Sequence, residues 1–334
     1  NILDATLQAI QEAVKNKPYV VHYAIKANAN ERVLERIKKA GFGIDTVSGN
    51  EIKWALKNGF DGREIAFAGV GKTDAEIQTA LDAEIFTFNV ESIPELKVIN
   101  DLARKAERKA PIAIRLNPNV NAKTHHYITT GLEENKFGIN YWELNELFEQ
   151  LESLQNIELK GLHFHIGSQI RDLSVFKNLC NRVNELQSEF RERNIELDHI
   201  NVGGGLGVNY QNPDEELIPD FNTFFDIFDQ FIELMPNQTL HFELGRAVVA
   251  QCAALVSKVL FVKEGVKTNF AILDAGMTEL IRPALYQSSH HIQNLSKLSE
   301  EVTEKYDVVG PICESSDCFG KAIMLPKTER GDLI

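Results

Sequence analysis

Short β-rich runs alternate with segments of helical periodicity along most of the chain. After an opening amphipathic stretch at residues 2–15, each apolar run is followed by a segment whose apolar residues recur every three or four positions. This alternation is typical of repeated βα units around a parallel sheet. The predicted strands are residues 19–27, 43–48, 64–69, 85–90, 111–118, 159–166, 199–205 and 240–245.

Eight parallel strands close a sheet into a barrel. We therefore predict the α/β class, with a (β/α)8 TIM barrel over residues 1–247. Helices predicted between the strands include residues 30–40, 94–108, 142–154, 173–193 and 221–235.

From Val248 onward the pattern changes to β-rich runs without long helices between them. These runs are residues 253–264, 268–276, 306–312 and 321–326. They predict a C-terminal all-β domain, a Greek-key-like β-barrel over residues 248–334. The chain begins without Met and stops in what reads as the middle of a strand, so we expect both ends to be trimmed.

Composition narrows the function to small-molecule chemistry. Of the 334 residues, 43% are hydrophobic and 25% are charged, as in ordinary soluble proteins. A net charge of −13 disfavours nucleic acid and anionic membranes, and no apolar run approaches the roughly 20 residues that span a bilayer. Four irregularly spaced cysteines fit neither a disulfide scaffold nor a zinc knuckle, so we expect a cytoplasmic protein without a metal site.

Polar residues follow nearly every predicted strand. In a β/α barrel these strand ends converge on one face, where burying polar groups is costly without a shared ligand. The residues concerned are Lys26, Asp45, Ser48, Arg115, His165, Gly203, Gly204, Gly205 and Glu243.

Lys26 follows the apolar run VVHYAI. Partial desolvation there would lower the pKa of its amine, as covalent chemistry with an aldehyde requires. The alternative is a solvated lysine that caps a strand.

The run GGGLG at residues 203–207 brings backbone N–H groups to a position where barrels often bind phosphate, although it could also be a plain tight turn. Ser168 could donate its hydroxyl to the same phosphate. His165 could lie flat against an aromatic ring or be a buried structural histidine. A carboxylate such as Glu243 beside a pyridine nitrogen would keep that nitrogen protonated, which favours carbanion formation.

Residues 119–140 form a long segment between predicted elements, either an active-site loop or a surface excursion. It contains Lys123, His125, His126, Tyr127 and Gly131.

Seven motifs in chain order resemble the fold-type III decarboxylases that depend on pyridoxal 5'-phosphate (PLP). That family combines an alanine-racemase-like barrel with a C-terminal β-domain. The segments RPALY and GPICESSDCFG resemble in particular the members that act on meso-2,6-diaminopimelate. The seven motifs are YAIKAN (23–28), FNVES (88–92), FHIGSQ (164–169), GGGLG (203–207), ELGR (243–246), RPALY (282–286) and CESSD (313–317).

The resemblance implies PLP as cofactor, with Lys26 joined to it covalently, His165 stacked on its ring and Glu243 paired with its nitrogen. It implies that Cys313 is the acid that reprotonates Cα and that this residue comes from the neighbouring subunit of a homodimer. The remaining cofactor-binding residues implied are Asp45, Ser168, Gly204, Gly205, Gly245 and Arg246.

A substrate with an amino-acid group at each end needs cations for its distal carboxylate and an acid for its distal ammonium. Arg246 and Arg282 could supply the first, Glu314 the second, and Tyr286 a further hydrogen bond. An arginine would repel the bare ammonium of ornithine. Arg282 could instead belong to a surface charge pair.

Two features depart from the family pattern. Leu244 stands where the family has proline, and a family tyrosine that approaches the cofactor phosphate would lie beyond Ile334. Three alternatives stay open: an ornithine, arginine or carboxynorspermidine decarboxylase, a non-catalytic PLP-binding barrel, and a PLP-free barrel acting on phosphorylated sugars.

Overall fold

The computed structural model describes residues 1–120 and 136–334. Their contacts define two compact units, the first made of residues 1–208 and 218–250 and the second of residues 209–217 and 251–334. Most of the segment 119–140, with the five residues named above, falls outside the described residues. No helix within the described ranges is long and apolar enough to cross a membrane.

The first unit is a closed barrel of eight parallel strands, as predicted. Each strand pairs with the next in chain order, and β8 closes the ring on β1. The strands are β1 (Tyr19–Ala24), β2 (Gly43–Thr46), β3 (Ile65–Phe67), β4 (Thr87–Val90), β5 (Ala110–Arg115), β6 (Ile157–His163), β7 (His199–Asn201) and β8 (Thr239–Leu244).

Helices surround the barrel and fill the intervals between strands. Three of them, α3, α4 and the short α9, were not among the helices predicted from the sequence. The helices are α1 (Ile2–Val14), α2 (Glu31–Lys39), α3 (Gly49–Lys57), α4 (Asp74–Asp82), α5 (Ile93–Lys105), α6 (Leu144–Ser153), α7 (Ser174–Arg191), α8 (Phe221–Phe231) and α9 (Arg246–Val249).

Most of the predicted strands are longer than the strands in the structure. The difference lies mainly at their carboxyl ends, where the chain leaves the ladder to form the loops that carry the polar residues. Ser48 is one such residue, and its hydroxyl accepts a hydrogen bond from the N–H of Glu51, so it caps α3. Ser92 caps α5 in the same way, through the N–H of Glu95.

Aromatic packing joins α8 to the barrel wall. Phe225 and Phe228 meet Phe242 of β8 edge to face, with ring centroids 4.8 and 5.0 Å apart. All three rings are buried, and each such burial contributes about 1.5–3 kcal/mol. Successive residues of β8 face opposite sides of the strand. Phe242 packs against α8, whereas His241 and Glu243 form hydrogen bonds with side chains of other barrel strands.

The second unit contains a four-stranded sheet in the order β12, β11, β10, β9, with β10 and β11 parallel and the other pairs antiparallel. This mixed sheet stands where the sequence predicted an all-β domain. Its core includes Val259, Tyr306 and Val308. The elements are β9 (Val259–Lys263), β10 (Asn269–Leu273), α10 (Arg282–Tyr286), β11 (Glu304–Val309) and β12 (Cys318–Leu325).

Three buried imidazoles form a cluster inside the barrel. His22 Nε2 and His241 Nδ1 are 2.9 Å apart, and His241 stacks on Phe86 with a centroid distance of 5.0 Å. His199 packs against the same ring at 4.9 Å. Desolvation lowers the pKa of all three histidines, that of His199 to about 3, so the cluster is neutral in the folded protein.

This cluster makes stability depend on pH. Above pH about 6.5 these histidines are neutral in both the folded and the unfolded chain. Below that pH the unfolded chain binds protons that the folded chain excludes, so stability falls as the pH falls towards the folded pKa. For His199 the window extends from its ordinary pKa of 6.5 down to about 3.

Replacing His199 by leucine should weaken this dependence. We expect the free energy of unfolding of His199→Leu to fall less steeply between pH 7 and 5 than that of the wild type, by up to about 1.4 kcal/mol per pH unit. Urea titrations at several pH values measure this slope. His291→Leu, at an exposed histidine, is the control. Equal slopes for His199→Leu and the wild type would contradict a neutral buried His199.

Candidate active site

Lys26 and Asp45 form an ion pair at one end of the barrel. Lys26 lies in the 3-10 turn that follows β1, and its Nζ donates to Asp45 Oδ2 at 2.9 Å. Asp45 in β2 is 1% exposed, whereas the lysine side chain is 54% exposed. Asp45 Oδ1 has no hydrogen-bond partner among the described residues, so this carboxylate keeps an unused acceptor.

The electrostatics of this pair differ from the expectation for Lys26. Desolvation lowers the pKa of Lys26, but the charge and hydrogen bond of Asp45 and the charge of Glu243 outweigh it, so the pKa is raised. The expected lowering was wrong because the sequence showed the apolar run but not the two carboxylates. For Asp45, desolvation and the charge of Glu243 raise the pKa to about 6 despite the attraction of Lys26.

Glu243 is a buried carboxylate on β8 that accepts hydrogen bonds from three other strands. Asn89 and Asn201 donate to Oε1 at 3.0 and 2.8 Å, and His163 Nε2 lies 3.0 Å from Oε2. Burial alone would raise the pKa of Glu243, but the charge and hydrogen bond of His163 and the charge of Lys26 hold it well below its usual range. The barrel therefore holds an ionised carboxylate.

His165 lies beside the glycine-rich turn. The N–H of Gly204 donates to its Nδ1 at 3.4 Å, so that nitrogen is the acceptor. Desolvation, with a further contribution from the charge of Arg115, lowers the pKa of His165 to about 3. The ring is therefore neutral, with its proton on Nε2.

The turn at residues 203–205 packs too closely on its neighbours for side chains. A Cβ on Gly204 would lie 1.9 Å from the carbonyl oxygen of Glu243, and one on Gly205 would lie 2.6 Å from the carbonyl oxygen of Gly167. Gly205 also has a φ of +108°, which strains other residues. Its N–H meets no acceptor in the described part of the chain, and such an N–H suits an anion.

Ser168 and Arg246 complete this part of the site. Arg246 begins α9, and its Nε and Nη2 donate to Ser168 Oγ at 3.2 and 3.1 Å. A Cβ on Gly245 would contact the Cβ atoms of Ala24 and Ala27 at 3.1 and 3.2 Å, which brings this turn against the residues that flank Lys26.

Behind the site, four buried charges form two linked ion pairs. Arg115 Nη1 donates to Glu91 Oε1 at 2.7 Å, and Lys72 Nζ donates to Glu95 Oε1 at 2.6 Å. The backbone N–H of Glu91 joins the two pairs by donating to Glu95 Oε2 at 2.8 Å. Arg115, singled out from the sequence, is thus held by Glu91 of the FNVES motif.

Three of the four predicted substrate residues lie in the second unit together with Cys313, whereas Arg246 lies in the first. On α10, the guanidinium of Arg282 lies 4.3 Å from the centre of the Tyr210 ring and its Nη1 lies 3.1 Å from His290 Nε2. Tyr286 ends the same helix. In the CESSD segment Cys313 and Glu314 are exposed.

Asp317, by contrast, is buried and has a structural role in the CESSD segment. Its carboxylate accepts from the backbone N–H groups of Met277 at 2.7 Å and Ile312 at 2.8 Å. These bonds fix the segment that carries Cys313 and Glu314.

The sequence analysis placed Lys26, Asp45, His165 and Glu243 near one another, and the first unit brings them together. It missed the three donors to Glu243, namely Asn89, His163 and Asn201. The period of two along the predicted strand 159–166 was a usable signal, because His163 precedes His165 by two residues and would share its side of such a strand. No cluster suited to a metal ion occurs within residues 1–120 and 136–334.

Comparison with known proteins identifies the class. Residues 2–250 match the family model described as the pyridoxal-binding domain of pyridoxal-dependent decarboxylases. The chain belongs to this family, whose members are PLP-dependent carboxy-lyases.

Within that family, the similar proteins include diaminopimelate decarboxylases. The chain is 57% identical to the enzyme of Bacteroides thetaiotaomicron over 100% of its own length and 86% of the relative. It is 42% identical to the enzyme of Vibrio cholerae, over 99% of this chain and 78% of the relative. A structure of the Helicobacter pylori enzyme complexed with L-lysine aligns with a TM-score of 0.89 at 38% identity, covering 99% of this chain and 82% of that one.

The residues present fit PLP. The cofactor carries an aldehyde, a ring nitrogen and a phosphate, and the barrel supplies an amine at Lys26, an ionised carboxylate at Glu243 and the N–H of Gly205 in a turn that a Cβ would fill. All three stand in one unit at the carboxyl ends of strands, where β/α barrels hold their active sites.

The close packing of Gly204 yields a prediction. In Gly204→Ala the new Cβ must displace the carbonyl of Glu243, so we expect the free energy of unfolding to fall by about 1–3 kcal/mol. Gly71→Ala is a matched control, because a Cβ there meets nothing within 4 Å. Urea titration measures both variants, and an equal effect in the two would contradict the packing described.

Proposed function

We propose that this chain decarboxylates meso-2,6-diaminopimelate to L-lysine and CO2 with PLP as cofactor. One observation carries the proposal: the amine of Lys26, the ionised carboxylate of Glu243 and the glycine turn lie at the same end of the barrel. The chain that contains them is 57% identical to a diaminopimelate decarboxylase along its whole length. When bound, PLP supplies an electron-withdrawing ring that stabilises the charge left on Cα as CO2 leaves.

Each barrel residue has a distinct task in this proposal. Lys26 joins the cofactor covalently, and Asp45, whose Oδ2 accepts from Nζ at 2.9 Å, orients the lysine. Glu243 holds the ring nitrogen protonated because the carboxylate itself remains ionised. The neutral ring of His165 stacks on the cofactor ring. The phosphate is held by Ser168, Gly204, Gly205, Gly245 and Arg246.

Substrate selection follows from charge. Arg246 and Arg282 bind the distal carboxylate, Glu314 binds the distal ammonium, and Tyr286 adds a hydrogen bond. The guanidinium of Arg282 is held against the Tyr210 ring, as a fixed anion-binding group would be. A decarboxylase for ornithine, arginine or carboxynorspermidine is the second candidate. Arg282 disfavours it, because its guanidinium would repel a bare distal ammonium.

Cys313 is the acid that returns a proton to Cα. Its exposed position within the second unit supports a thiol that works at a subunit boundary, as the family resemblance implies. We propose a homodimer with a shared active site, acting in the cytoplasm, where the four free cysteines stay reduced. We also propose that the two domains comprise residues 1–247 and 248–334.

Release of CO2 from a panel of amino acids tests the substrate. We expect release from meso-2,6-diaminopimelate to exceed release from ornithine and arginine by at least about 100-fold in kcat/KM, since an unpaired buried charge is strongly disfavoured. Lys26→Ala is the control and should lose both CO2 release and the visible absorbance of the bound cofactor. A preference for ornithine would overturn the proposed substrate.

Replacing the thiol tests catalysis itself. Cys313→Ala should lower kcat by about 100-fold or more, the usual contribution of a general acid, while the cofactor absorbance remains. Cys318→Ala, at a partly buried thiol in β12, is the matched control and should keep its activity. A non-catalytic PLP-binding protein would have no turnover to lose in either variant, and equal turnover in both would contradict the role of Cys313.

A further inference from the structure

The carboxylate of Glu243 has nearly all of its acceptor positions filled. A carboxylate offers about four such positions, two on each oxygen. Oε1 accepts from Asn89 and Asn201, and Oε2 accepts from His163. One position remains, and it lies on Oε2.

We infer that Asn89, Asn201 and His163 are positioning residues that hold Glu243 ionised and reserve Oε2 for one N–H donor, the ring nitrogen of the cofactor. This inference rests on the proposed function and deepens it. None of the three touches the cofactor in this proposal, since each acts through Glu243.

The barrel architecture explains why these side chains meet. Alternate strands of a β/α barrel fill one interior layer, usually with branched apolar residues. Here β2, β4, β6 and β8 supply Asp45, Asn89, His163 and Glu243, so the corresponding layer is polar. Asn201 joins from β7, and its Oδ1 also accepts from the N–H of Gly203 at 2.8 Å. One amide therefore links Glu243 to the glycine turn.

Unsatisfied atoms point to a functional arrangement. Asn89 Oδ1 and His163 Nδ1 are buried and have no partner among the described residues, although such atoms are normally paired in a barrel interior. The orientation of Asn89 is fixed by Glu243, because a flipped amide would set its oxygen against the carboxylate. A side chain selected for stability alone would be apolar here.

His163 and the charge of Lys26 hold the pKa of this carboxylate down at 8% exposure, and the two amides donate further hydrogen bonds to it. Without donors, a buried carboxyl group takes up a proton, and a protonated Glu243 could no longer hold a proton on the ring nitrogen. Amides stabilise the charge without adding one of their own. Losing one donor should therefore raise the pKa of Glu243.

The test uses holoenzyme loaded with PLP that carries 15N in its ring. Asn89→Leu removes a donor whose oxygen has no partner, so little besides the bond to Glu243 is lost. We expect a ring-nitrogen titration to enter the range between pH 5 and 8, where the wild type shows none, and cofactor affinity to fall about 10-fold. Asn89→Asp should raise the pKa of Glu243 further, because it sets a second carboxylate against it.

Two further variants separate positioning from folding. Gln187→Leu removes a buried amide that bonds the carbonyl of Glu233 instead, and it should leave the titration unchanged. Asn201→Asp keeps an acceptor for Gly203 but replaces the donor to Glu243 by a second carboxylate, so it should behave like Asn89→Asp.

The possible outcomes distinguish this inference from the proposed function. Unchanged titration and affinity in both Asn89 variants, in holoenzyme that still releases CO2, would overturn the inference and leave the proposed function intact. A shifted titration in the Asn89 variants, together with wild-type holoenzyme that releases no CO2 from diaminopimelate, would support the positioning role and overturn the proposed substrate.

Discussion

An ionised carboxylate inside a β/α barrel is the constraint on which the site depends. Glu243 is buried on the last barrel strand, where desolvation opposes its charge. It remains a carboxylate because of the charge and hydrogen bond of His163 and the charge of Lys26, while Asn89 and Asn201 donate to its other oxygen. The same strand limits the glycine turn, since the carbonyl of Glu243 leaves no space for a Cβ at Gly204. One residue thus sets the chemistry of the barrel interior and the backbone of the turn beside it.

Polar side chains inside the barrel lie in two different environments along the strands. At the level of His241, imidazoles stack on one another and on Phe86, and desolvation keeps them neutral. Two residues further along β8, at Glu243, the surroundings keep a charge instead. The neutral imidazoles near His241 contribute to packing, whereas the ionised Glu243 can bind a positively charged group of a ligand. Such a division is expected in β/α barrels, where stability and activity depend on different ends of the strands.

Much of this organisation was predictable from local pattern. The eight strands follow from β-rich runs between helical segments, and Lys26, His165 and Glu243 follow from their places at strand ends. The donors to Glu243 could not be predicted from local sequence pattern. Asn89 lies 154 residues from Glu243 along the chain, and an asparagine in a strand has no distinctive local signal. The raised pKa of Lys26 escaped prediction for the same reason, since it depends on carboxylates that only the closed barrel brings near.

The division into two units separates the residues proposed to bind the cofactor from most of those proposed to bind the substrate. The groups proposed for the cofactor lie in the first unit, where strands hold them rigidly. Cys313 and Glu314 lie on an exposed segment of the second, fixed through the carboxylate of Asp317. Because that carboxylate bonds only to backbone N–H groups in the contacts described, the neighbouring side chains can change without disturbing the segment. The substrate preference of such a chain could therefore change through the second unit while the barrel interior, constrained by Glu243, stays as it is.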